Sequence, residues 1–168
     1  KKKDDYVGFI ALSENLNFAL DHSSIGIPFL YLIAQSYRGA EMLLAEARLY
    51  QRMVFDLLPT DSQKTLILLN LSLVYDELGE ADLATKALDQ LPPNSDNISK
   101  SKFLLAQGLH AKNLGQYNTC LTYLSDYLNS GVGGTDLFRY ALYAAQCAAG
   151  DNQFAVALKY LDYLGVSE

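Results

Sequence analysis

Apolar residues recur along this chain at three- and four-residue spacing, interrupted by Gly, Pro and Asn-Ser clusters. That period belongs to helices with one buried face. No stretch shows the strict alternation between turn signals that marks a strand. The pattern predicts about nine helices, over 5–21, 27–38, 40–58, 62–78, 81–91, 98–113, 117–129, 135–149 and 152–164. Pro28 suits a first helical turn, and Thr60 or Asp61 can cap the helix after Pro59. Pro92-Pro93 ends one helix, and Ser95, Asp96 or Ser99 can start the next. Gly79, Gly115 and Gly150 sit where helices would stop and tight turns begin. The fold class is all-α with short connections.

Superposing the glycine turns exposes an internal period. One unit runs Leu68, Leu71, Ser72, Tyr75, Gly79, Ala81, Ala84, Leu88, Leu91. The same slots then hold Leu104, Gln107, Gly108, Ala111, Gly115, Tyr117, Cys120, Leu124, Tyr127, and next Ala141, Ala144, Ala145, Ala148, Asn152, Phe154, Ala157, Leu161, Leu164. Small residues at Ser72, Gly108 and Ala145 let a partner helix approach closely. Gly79, Gly115 and Asn152 tolerate positive φ in the turn.

This pattern resembles the tetratricopeptide (TPR) repeat, a helix-turn-helix unit of about 34 residues. The resemblance covers about 65–164 and implies a right-handed superhelix of antiparallel helix pairs. It divides a single domain, 1–168, into an N-terminal capping helix (1–24), a degenerate hairpin (25–60) joined at Gly39, and repeat units at 61–96, 97–134 and 135–168. In such repeats the first helix of each pair lines a concave groove where peptides lie. Carried over slot by slot, that groove holds Leu66, Leu69, Asn70, Leu73, Lys102, Leu105, Leu109, Lys112, Arg139, Leu142 and Gln146. The TPR subgroup that grips chaperone C-terminal carboxylates needs a lysine and asparagines. Here Leu69 and Leu73 stand in two of those slots and only Asn70 survives, so that docking mode is not expected.

The groove therefore reads as an apolar leucine stripe flanked by cations, suited to an apolar or amphipathic peptide segment of another protein. The expected function is a protein–protein interaction module: an adaptor, scaffold or chaperone. The alternative is a structural, regulatory or oligomerisation domain of a larger protein, its groove filled in cis. A lesser alternative is suggested by Tyr143-Ala144-Ala145-Gln146-Cys147, which looks like the last repeat of class II chaperones of type III secretion.

Composition narrows the classes further. Half of the 168 residues are hydrophobic and 19% are charged, which excludes disorder. A net charge of -6 argues against a nucleic-acid partner. The longest uncharged apolar stretch, Ile25 to Ala34, is about half a bilayer crossing, so no membrane insertion is expected. The start Lys1-Lys2-Lys3-Asp4-Asp5, without methionine, is expected of a fragment or a processed product. Those aspartates and Ser13-Glu14-Asn15 argue against a signal peptide. A cytoplasmic location is the expectation, and oligomeric state stays open.

No enzyme chemistry, metal or cofactor is expected. His22 and His110 lie far apart, and Cys120 and Cys147 form no CxxC. Both cysteines read as small residues at helix contacts, with a bond between them left open. No GxSxG elbow exists, and Gly131-Val132-Gly133-Gly134-Thr135-Asp136 lacks the lysine of a phosphate loop. Asn70-Leu71-Ser72 and Asn97-Ile98-Ser99 match the glycosylation pattern, the first inside a packing helix. Asp76, Glu77, Glu80 and Asp82 crowd one turn, followed by Lys100, Lys102 and Lys112.

Overall fold

The computed structural model describes residues 6–11, 26–95, 99–130 and 137–163. Every regular element among the described residues is a helix. A helical stretch over 6–11 precedes Gly26–Gly39 (α1), Leu43–Phe55 (α2), Asp61–Leu78 (α3), Ala81–Asp89 (α4), Lys100–Asn113 (α5), Tyr117–Asn129 (α6), Leu137–Gly150 (α7) and Phe154–Tyr163 (α8). The expected helix ends agree with these within a few residues. Expectations placed on Asp96, Asn97, Gly131–Asp136 and Leu164, and most of the helix over 5–21, lie outside the described residues.

Local chemistry explains several boundaries. Thr60 starts α3 with a reciprocal capping box: its hydroxyl accepts the Gln63 N–H, and the Gln63 side chain accepts the Thr60 N–H at 3.0 Å. Gly79 then stops the helix at φ 79°. The same closure recurs in all four helix pairs. The residue at positive φ is Glu41, Gly79, Gly115 or Asn152, and the next N–H reaches back five residues. Those bonds run Met42 to Tyr37, Glu80 to Tyr75, Gln116 to Ala111 and Gln153 to Ala148, at 2.8–2.9 Å. This is the Schellman arrangement, which satisfies carbonyls left open at a helix end.

The first hairpin is thereby corrected. Its turn is centred on Glu41, not on Gly39, and its slots align with the later units once Glu41 is set over Gly79. Leu30, Ile33, Ala34 and Tyr37 fall on Leu68, Leu71, Ser72 and Tyr75. Glu46 falls in the small slot of Ala84, and Tyr50 in the leucine slot of Leu88. Gly39 serves a different purpose. The Tyr6 ring lies so close that a Cβ there would sit 2.5 Å from it. Gly150 is not the positive-φ turn residue either; it leaves room for the Tyr117 ring, and Asn152 makes the turn.

Each helix packs against its neighbours in sequence, and the first helices α3, α5 and α7 also touch one another in series. Helix α3 is consequently buried on two sides. Leu68, Leu71 and Val74 join a core with α1 and α2, while Leu69 and Leu73 join a second core with α5 and α6. Gly108 lets Leu124 of α6 approach α5 to a distance that a Cβ would forbid.

The two cysteines are bonded to each other. Cys120 of α6 and Cys147 of α7 form a disulfide with Cα atoms 6.1 Å apart, and both are fully buried. The small-slot reading of Cys120 holds for its packing, but neither thiol is free. The bond ties the outer helix of one pair to the first helix of the next.

Candidate functional site

The first helices line a groove of about 520 Å³. Helix α1 and its turn contribute Arg38 and Glu41; α3 contributes Asn70, Leu73 and Glu77. Lys102 and Leu105 come from α5, and Arg139 and Tyr140 from α7. A smaller cavity of about 210 Å³ adjoins through the shared Glu77, lined also by Asp76, Leu109, Lys112, Asn113 and Tyr143.

The eleven residues singled out from sequence separate into three sets. Leu69, Leu73, Leu105 and Leu109 are buried in the second core. They form no open apolar stripe, because each first helix is flanked by another and the leucines fill the seams between them. Leu66 and Leu142 are half-buried, and Gln146 is exposed. Asn70, Lys102, Lys112 and Arg139 reach the cavities beside the edges of Leu73, Leu105 and Leu109, so the accessible lining mixes charged and apolar groups.

Three polar clusters organise that lining. Arg38 spans two carboxylates: its Nε donates to Glu46 Oε1 at 3.0 Å and its Nη1 to both oxygens of Glu77 at 2.9 Å. Glu46 is almost wholly buried, and its Oε2 has no hydrogen-bond partner. Burial holds its pKa above the ordinary glutamate value in spite of Arg38.

Next along the groove, Asn70 ties α3 to both neighbours. Its amide donates to the Tyr31 hydroxyl and, at 2.6 Å, to the Leu66 carbonyl, and its Oδ1 accepts from Lys102 Nζ at 3.0 Å. The same ammonium lies 5.8 Å from the Tyr31 ring centroid. Lys102 is half-buried, its direct partners among the described residues are neutral, and the Glu46 carboxylate acts on it only through its charge. Burial first, and the Arg38 charge second, hold its pKa below the ordinary lysine value. Lys112 sits 4.8 Å over the Tyr143 ring.

The third cluster joins Asp76, His110 and Thr85. His110 Nδ1 is 3.1 Å from Asp76 Oδ1, and Nε2 is 3.0 Å from Thr85 Oγ1. The Thr85 hydroxyl donates to the Ala81 carbonyl at 3.0 Å, so it accepts from the Nε2–H. Asn113 Nδ2 adds bonds to the Asp76 carbonyl and Oδ1. Carboxylate, imidazole and hydroxyl stand in catalytic-triad order, yet Thr85 is committed to a helix carbonyl and lines neither cavity described above. The cluster pins α3, α4 and α5 together. Sequence reasoning missed it because 34 residues separate Asp76 from His110.

Burial also raises the Asp76 pKa, against the lowering effects of His110 and Asn113. Glu46 and Asp76 therefore bind protons more tightly in the folded protein than in the unfolded chain. From the ordinary carboxylate value of about 4 up to the raised ones, the native state holds more protons, so stability falls as pH rises. Acidification from pH 7 into that window is expected to raise the thermal midpoint, and Glu46→Gln to flatten part of the rise. Melts followed by circular dichroism check this; a midpoint that drops equally in both proteins contradicts it.

Among the described residues, no helix is long and apolar enough to cross a membrane, and no group of three or more His, Cys, Asp or Glu side chains could hold a metal ion. Comparisons with protein-family models, curated proteins and solved structures found no significant match.

Proposed function

We propose that this protein is a TPR-like interaction module whose groove holds an extended, acidic segment of a partner protein. One observation carries the reading: the half-buried Lys102 ammonium, in the same groove as Arg139, has an amide oxygen and an aromatic face as its direct partners, and among the described residues no carboxylate bonds to it, Glu46 acting on it only through its charge. A desolvated cation in a cavity is completed by an anion from outside. Lys112 adds a second cation in the adjoining cavity, where Asp76 and Glu77 already stand. The wholly apolar occupant expected from sequence is the second reading: Leu69, Leu73, Leu105 and Leu109 are mostly packed in the core, and only edges of Leu73, Leu105 and Leu109 line the cavities.

Short labelled peptides of one length test this directly: Glu-Ser, Gln-Ser and Lys-Ser repeats, titrated by fluorescence anisotropy. The Glu-Ser peptide is expected to bind, and to weaken as salt rises. Lys102→Gln should cost about 1.5–3 kcal/mol, roughly tenfold or more in affinity, as expected for a lost charged hydrogen bond. If no peptide binds, the site is not an open peptide groove, and occupation in cis becomes the better reading. The buried Cys120–Cys147 bond further favours work in an oxidising compartment over the cytoplasmic location expected from sequence.

A further inference from the structure

Glu46 stands where the other helix pairs do without a charge. In its slot on the second helix they place Ala84, Cys120 and Ala157, so the packing of a pair asks only for a small residue there. Its side chain is 2% exposed and lies behind the groove wall, lining neither cavity described above. Among the described residues its Oε1 accepts from Arg38, and its Oε2 has no hydrogen-bond partner. Arg38 is shared, because its Nη1 donates to both oxygens of Glu77, and both of these residues line the groove. The groups that face Glu46 are Tyr31 and Arg38 of α1, Tyr50 of its own helix, Glu77 of α3 and Lys102 of α5. The Glu46 carboxylate therefore acts on both Arg38 and Lys102 from a position that no occupant of the groove touches.

We infer that Glu46 makes the groove's hold on an acidic segment depend on pH, loosening it when the carboxyl is ionised and tightening it when a proton is bound. This regulation rests on the acidic occupant proposed above. With both glutamates ionised, the charges of Arg38 and Lys102 are balanced by Glu46 and Glu77. A proton on Glu46 leaves the same groups with an excess of positive charge, in a site where burial limits screening. The Arg38 bond to Oε1 can stay, since the partnerless Oε2 is free to take the proton. Burial already favours the neutral carboxyl, so the change begins above the ordinary glutamate value. An anion in the groove favours the same form, and by linkage its binding takes up protons.

A rhodamine-labelled peptide of alternating cysteic acid and serine tests this, because its sulfonates stay ionised while the protein is titrated. Fluorescence anisotropy is expected to show the wild type binding about three- to tenfold more tightly at about pH 5 than at neutral pH. Glu46→Gln and, separately, Glu46→Ala should bind more tightly than the wild type at neutral pH, by a similar factor, and change little on acidification. Alanine fills this slot in two other pairs, at Ala84 and Ala157, which gives the second variant a precedent for folding. Weaker binding by both variants, as a merely structural Glu46 predicts, overturns the proposal. If both lose their helical circular dichroism signal, calorimetry on the wild type in buffers of different ionisation enthalpy decides: proton uptake on binding supports the switch, and none overturns it. A wild-type affinity that stays flat or falls on acidification overturns the pH dependence and leaves the acidic occupant in place. A peptide that binds at neither pH overturns both.

Discussion

Leu69→Asp combined with Leu105→Asp is expected to unfold the protein, not merely to spoil a binding surface. Leu69 is wholly buried, and Leu105 lies with it in the core between α3, α5 and α6. Truncating a buried leucine alone costs about 2–5 kcal/mol. A carboxylate left there without a partner adds a desolvation penalty of several kcal/mol more. Together the two changes exceed much of the roughly 5–15 kcal/mol that holds a domain folded. Loss of the helical signal at room temperature is the expected reading. A variant that keeps its helices and its thermal midpoint would return these leucines to an open groove, and with them the apolar occupant.

Removing the disulfide ranks next. Cys120→Ala with Cys147→Ala opens a crosslink between residues 27 apart in sequence. Chain-entropy reasoning gives about 3.5 kcal/mol for a loop of that length. For a chain of this size, that corresponds to a fall of about 10 °C in midpoint. The crosslink fixes α7 to α6, and α7 carries the Arg139 and Tyr140 wall of the groove. The double variant should therefore also bind the acidic peptide more weakly at temperatures where it remains folded. A midpoint within a degree or two of wild type would mean that packing alone holds the last pair in place.

These two results bear on what the chain made legible. Turn chemistry is local, so the helix ends at Gly79 and Gly115 and the Thr60 cap could be read directly. Asn152, one of the few side chains that tolerate αL, could be placed in the turn slot by register with those glycines. The first hairpin hid its register because glutamates occupy two diagnostic slots: Glu41 where glycine is expected, and Glu46 where a small residue is expected. The Arg38 bridge to Glu46 and Glu77 helps to make the second of these tolerable. The groove was half legible. Its polar members follow from register, but whether a leucine at a first-helix slot faces solvent or a seam depends on how closely successive first helices pack. The Cys120–Cys147 bond and the Asp76–His110–Thr85 pin join different units, and no local spacing announces either.

The account centres on an acidic occupant held at Lys102. Selection from a random peptide library, run in parallel on the wild type and on Lys102→Gln, tests that claim without presuming a partner. Enrichment of sequences rich in Asp and Glu by the wild type, lost or much reduced for Lys102→Gln, is the predicted result. Enrichment of uncharged apolar helices, or the same acidic sequences recovered equally by both proteins, would contradict it.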